Sequence, residues 1–230
     1  APPEQSDASA GQMAPPNADI PQFEIDPEFE VAVVADGTLG SYLAMEFDDF
    51  GRLIVSRENA GLARIDFTTT PEDLNRTQVI CEQVKNCQGI LPLNGKIYVT
   101  GEGSQGWGVY LLADAEGDAT FESVELIARF EGTHAEHGPH GLTLGPDGNI
   151  YLIVGNHSRL AKPVAATSPY AHPYEADLVP RVEDPGGHAV GIRAPGGTIL
   201  RMPIQSREFE LVAGGIRNAY DLAFDANGEL

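Results

Sequence analysis

Four stretches of the chain repeat one design: LAMEFDDFGRLIVS from Leu43, GILPLNGKIYVT from Gly89, GLTLGPDGNIYLIV from Gly141 and DLAFDANGEL from Asp221. In each, apolar and polar residues alternate, a short polar turn ending in glycine follows, and in the first three a second alternation begins. Alternation with a period of two is the pattern of a strand with one face buried, and Asp-Gly or Asn-Gly turns supply the positive φ that a tight hairpin needs. Each unit therefore reads as a β-hairpin. The turn glycines are Gly51, Gly95, Gly148 and Gly228, the last interval stretched by an irregular insertion. Multi-strand units recurring every ~40–50 residues mark the blades of a β-propeller.

Further strands complete the units. ENAGLARIDF, GWGVYLLAD and GGTILRMPI supply third strands, and TQVIC, SVELIARF and EFELVAGG supply fourth strands. The expected architecture is all-β, a propeller with three blades and the start of a fourth, whose loops gather on one face where a ligand can be held. Only Glu229 and Leu230 follow Gly228, too few for a returning strand. The sequence is thus expected to be truncated before its C-terminal blades, with open strand edges and poor folding in isolation. Residues 1–22, rich in Pro, Ala, Gln and Ser and without an apolar stretch, read as a flexible leader of the kind that follows a removed signal. That leaves 23–230 as the partial propeller domain and predicts a periplasmic or extracellular protein.

With 34 Asp and Glu against 14 Lys and Arg, the net charge of −20 argues against nucleic acid or an anionic membrane surface as partner. No apolar run approaches the ~20 residues of a membrane span. Cys81 and Cys87, in CEQVKNC, match neither haem-attachment nor zinc spacing, which leaves a small-loop disulfide or two buried thiols.

Polar chemistry concentrates in two loops. THAEHGPHGLTLGPDG places His134, Glu136, His137 and His140 just before an inner strand. An imidazole with a pKa near 6.5 suits a general base, whereas a metal would want a carboxylate or thiol from elsewhere, so no metal ligands are assigned. VAGGIRNAYDLAFDANG presents Arg217 beside Asn218, a charged fork and an amide suited to a planar ligand bearing carboxylates, with pairing of Arg217 to Asp221 or Asp225 as the plainer alternative. The long insertion from Arg159 to Gly197 reads as a lid or binding loop. Its His172, His188, Asp177, Glu183 and Asp184 receive no role.

Taken together, HGPHGLTLGPDGNIYLIVGN, PGGTILRMP and GGIRNAYDLAFDANGEL resemble the glucose/sorbosone dehydrogenase family, six-bladed propellers that use pyrroloquinoline quinone (PQQ). The resemblance runs from about Phe23 to Leu230 and is nearest to bacterial membrane-bound dehydrogenase-like proteins, in which the propeller is often joined to a cytochrome c segment. It implies that His137, eight positions before the G-P-D turn, is the catalytic base. It also implies that Arg217 and Asn218 bind the cofactor and that Gln88 and Glu136 contact substrate. Asn156, in V-G-N, stands where the family orients the base with an acid. An amide accepts a hydrogen bond from imidazole but does not stabilise imidazolium as a carboxylate does.

The implied activity is oxidation of a sugar, aldose or related aldehyde by hydride transfer to the quinone, with a cytochrome c-type electron acceptor. Calcium, which the family uses to position the quinone, is expected to be held mainly by the missing blades. Two other readings compete. One is a non-catalytic propeller that binds a glycan or a protein partner. The other is a lactone hydrolase, for which Glu46 and Asn218 begin an axial metal set that nothing completes.

Overall fold

The computed structural model describes residues 24–29, 35, 37–66, 77–132, 136–176, 182–183, 186, 190–191, 193–194 and 196–230. The leader, His134, His188, Asp177 and Asp184 lie outside them. Among the described residues the chain forms β1 (Tyr42–Phe47), β2 (Leu53–Arg57), β3 (Leu62–Ile65) and β4 (Thr77–Cys81), then β5 (Lys85–Leu93), β6 (Lys96–Gly103), β7 (Gly106–Ala113) and β8 (Ser123–Gly132). There follow β9 (Pro139–Leu144), β10 (Ile150–Val154), β11 (Ser158–Leu160), β12 (Val182–Glu183), β13 (Arg193–Ala194), β14 (Gly197–Met202) and β15 (Glu210–Ile216). Strands β1–β4 make one antiparallel sheet in sequence order, β5–β8 a second that gains β11 at its outer edge, and β9, β10, β14 and β15 a third.

The hairpins form where the glycine repeat places them. Three of the turns share one design. Asp48 N–H donates to Arg52 O and Gly51 N–H returns to Asp48 O, and the same pair of bonds joins Gly145, Asn149 and Gly148, then Asp225, Glu229 and Gly228. Gly51, Gly148 and Gly228 sit at φ of 74°, 75° and 81°, where an L side chain would be strained. The β5–β6 turn is shorter. Leu93 pairs with Lys96, and both Asn94 and Gly95 have positive φ, the signature of a two-residue type I′ turn.

The central strands are buried on both faces. Along β6, Ile97 and Val99 turn towards Ile54, Leu62 and Ile80 of the first sheet, whereas Tyr98 turns towards Leu142, Leu152 and Leu200 of the third. Strand β10 repeats the pattern, with Ile150, Leu152 and Val154 facing the second sheet. Its Tyr151 and Ile153 face the opposite side, where Ala219, Leu222 and Phe224 pack against them. The 221–230 segment therefore forms its predicted turn and covers the third sheet, although its residues are not in a strand. Tyr151 meets Phe224 edge-on at 4.9 Å between ring centroids.

The insertion after β10 is a strap. Its first residues pair with the end of β8, Ser158 with Gly132 and Leu160 with Phe130. It then crosses to the outer edge of the third sheet, where Ala165 N–H donates to Phe209 O at 2.7 Å and Leu211 N–H donates to Ser168 Oγ at 2.8 Å. Thr167 hydroxyl donates to the carboxylate of Glu210, which also takes Arg201 Nε, both at 2.8 Å. Burial alone would raise the Glu210 carboxyl, but these two partners outweigh it and hold it below its ordinary value.

Cys81 and Cys87 are both buried free thiols, which resolves the alternative left by their spacing. Burial pushes the Cys87 thiol far up, so it serves as a small apolar group under β2 and β6. Among the described residues, no helix is long and apolar enough to cross a membrane.

Candidate functional site

Antiparallel order brings the start of β9, the end of β10, the start of β14 and the end of β15 to one end of the third sheet. The pairing of Gly132, at the end of β8, with Ser158 shows that the second sheet presents the matching end. Here His137 and His140 precede or open β9, Asn156 follows β10, and Arg217 and Asn218 follow β15. Backbone bonds lock these loops together, Asn156 N–H to Arg217 O at 3.0 Å and Gly155 N–H to Gly138 O at 2.7 Å. Gly155 is required by this crowding, because a Cβ there would lie 2.5 Å from His137 O and 2.6 Å from Asn218 Oδ1.

The hydrogen bonds of His137 fix its tautomer. Arg217 Nη1 lies 3.3 Å from His137 Nε2, and a guanidinium can only donate, so Nε2 accepts and the ring is neutral. The proton then resides on Nδ1 and is donated to Asn156 Oδ1 at 2.5 Å. This arrangement orients the amide, leaving Asn156 Nδ2 buried without a hydrogen-bond partner. His137 is 1% exposed and stacks on His157 at 4.2 Å.

His140 anchors the other half. Its Nε2–H donates to Asn218 Oδ1 at 2.7 Å, and Asn218 Nδ2 donates to Glu136 O at 3.0 Å. One lone pair and one N–H of that amide stay available to a ligand. Thr100 hydroxyl donates to His140 O at 2.7 Å, tying β9 to β6, and the exposed ring of Tyr220 stacks on His140 at 4.1 Å.

Burial lowers the pKa of His140, and the bonds to Asn218 and to the Glu136 backbone offset it only in part. With its folded pKa depressed, His140 binds a proton more readily in the unfolded chain. The stability this confers is present above about pH 6.5 and is lost as pH falls through the lowered folded value. Urea midpoints should therefore decline from about pH 7.5 to 5.5, and His140→Gln, which keeps a donor for Asn218, should flatten that decline.

The structure thus brings His137, Asn156, Arg217 and Asn218 into one hydrogen-bonded cluster, joined by the main chain of Glu136, whose side chain is exposed. Gln88 lies on β5, half-buried, and its side chain makes no hydrogen bond to the cluster. His140 is recognisable in sequence only as one histidine among several, while His157 and Tyr220 carry no signal beyond lying one residue after Asn156 and two after Asn218. Among the described residues, the carboxylates close enough to share a cation are Asp114, Asp118 and Glu122, within 4.8 Å of one another in the β7–β8 connection, away from the His137 cluster.

Three propeller-type sheets with a histidine–arginine cluster where their loops converge define the class, a β-propeller. Its fold is similar to the PQQ-bound form of aldose sugar dehydrogenase from Streptomyces coelicolor, with a TM-score of 0.50 and 16% identity over 82% of this chain and 57% of that one. An oxidoreductase described as a glucose dehydrogenase, from Thermus thermophilus, matches with a TM-score of 0.46 and 17% identity over 80% of this chain and 55% of that one. The chain spans little more than half the length of either structure. It belongs to the family described as Domain of unknown function (DUF7133), whose profile matches residues 15–171. No curated protein matches it.

Proposed function

We propose that this protein is the propeller of an exported, PQQ-dependent dehydrogenase acting on a sugar, aldose or related aldehyde, with His137 as general base. The observation that carries the reading is the fixed tautomer of His137, whose basic Nε2 faces the cation of the site. The residues present fit a planar quinone bearing carboxylates. Arg217 offers a donor fork, Asn218 an amide with spare capacity, and Tyr220, 56% exposed, a flat face. When bound, the quinone would accept hydride from the carbon of the substrate alcohol.

The protein's own residues perform the rest. While Arg217 donates to Nε2, the lone pair of His137 is engaged. Arg217 would hold a carboxylate of the quinone, and once its guanidinium is so engaged, Nε2 of His137 would be free to take the hydroxyl proton. Asn156 holds the ring in place throughout and keeps the Nδ1 proton from migrating. Gln88 and Glu136 are proposed to contact the substrate. Calcium, six blades and a cytochrome c-type acceptor belong to the same proposal, with the calcium ligands expected mainly from blades other than these.

The test is titration of the protein with PQQ and calcium, followed by dye reduction with a panel of aldoses. Saturable quinone binding and sugar-dependent reduction are the expected results. Absence of binding at micromolar quinone overturns the reading in favour of a propeller that recognises a glycan or protein without turnover.

A further inference from the structure

A cavity of about 590 Å³ opens at the same end of the sheets between the first and second sheets. Its volume falls within the range of ~300–1,000 Å³ usual for small-molecule sites. Neutral hydrogen-bonding groups dominate the lining, from Asn59 in the β2–β3 turn, Gln83 in the β4–β5 link, and Ser104 and Gln105 in the β6–β7 turn. Lys85 and Glu102, opposite each other across β5 and β6, contribute one charge of each sign. Among the described residues, the side chains of Asn59, Ser104 and Gln105 make no hydrogen bonds, and Gln83 uses only its Nε2, donating to Glu122 O at 3.0 Å. The floor is apolar, Tyr110 and Val124, and the Tyr110 hydroxyl is already spent on Gly106 O at 2.6 Å.

The walls are held in advance. Asn86, at φ 51°, accepts Asn59 N–H on its Oδ1 at 2.6 Å, and its own N–H donates to Ala60 O at 3.2 Å. The β2–β3 turn is thereby pinned to β5, so a ligand need not order this rim on binding.

We infer that this cleft is a binding site for neutral oligosaccharides. Sugar hydroxyls both donate and accept, and so do the amides and hydroxyl that line the cleft, while the C–H face of a sugar ring suits the apolar floor. Lys85 and Glu102 cancel, and the net charge of −20 repels acidic sugars. The site lies close to the central cluster. Lys85 at the cleft and Gly89, which packs on the carbonyl of His140, are four residues apart on β5, at most ~14 Å of extended chain. Binding here requires no redox turnover, so the inference stands apart from the proposed activity.

The test is calorimetric titration of the full chain, without quinone, using cellotriose, maltotriose and xylotriose as neutral probes and trigalacturonate as the acidic control. At least one neutral trisaccharide should bind saturably, and trigalacturonate about tenfold more weakly or not at all. The exposed double variant Ser104→Ala, Gln105→Ala should lose about tenfold in affinity. No binding of any neutral probe up to about 10 mM overturns the inference. Binding that survives the double variant overturns it as well, because the sugar then sits elsewhere.

Discussion

Turnover is expected to fall about 10²–10⁴-fold when His137 is replaced by alanine, the usual contribution of a positioned general base, while quinone binding persists. The two readouts separate a missing proton acceptor from a collapsed site. Steady-state dye reduction reports the first, and a PQQ titration of the same variant reports the second. Asn156→Asp is the companion of opposite sign. It replaces a buried amide, whose nitrogen has no partner, with a carboxylate that accepts the same Nδ1 proton and stabilises the imidazolium formed during reaction. Partners of this kind commonly change activity 10–100-fold, and an increase of about tenfold in kcat is expected here. Unchanged turnover in His137→Ala would remove the base from the mechanism.

The second large effect is expected at Arg217. Charge-assisted hydrogen bonds are worth ~1.5–3 kcal/mol, so Arg217→Ala should weaken quinone binding roughly 10–150-fold. Arg217→Lys should recover little, because an ammonium lacks the planar fork that meets a carboxylate with two parallel donors. Equilibrium titration with PQQ checks both variants. Quinone affinity equal to wild type in Arg217→Ala would mean that the guanidinium serves only to hold His137 in its neutral tautomer.

The fold was legible because its strands are short, alternate strictly and are closed by turns with local chemistry. Asn94-Gly95 and the three five-residue turns state their own geometry, and strands joined that way are neighbours in space. Burial on both faces, as in KIYVT and NIYLI, also marks strands with sheets on either side. The strap left no such trace. Strand β11 has three residues, and its partner in β8 is fixed by the juxtaposition of two sheets, which no local pattern encodes. The candidate site divides in the same way. His137, Arg217 and Asn218 stand out as polar residues in glycine-bearing loops before strands. The roles of His140 and Tyr220 arise only when β15 delivers Asn218 to β9, and the tautomer of His137 depends on a guanidinium eighty residues away.

The strap also dictates the order in which this molecule can assemble. Within the first two sheets, successive strands are joined mainly by short connections, so their hairpins close at small entropic cost. Strand β10 must instead wait for β14 across residues 155–196, and each doubling of a loop adds ~0.6 kcal/mol to closing it. Until that closure, the β14–β15 hairpin has no place on the third sheet and Arg217 has no route to His137. The chemistry-bearing cluster therefore needs β10, β14 and β15 in place together before it acquires its shape. The strap joins the ends of two sheets, so the reactive groups come together only where both sheets are already in place to receive it.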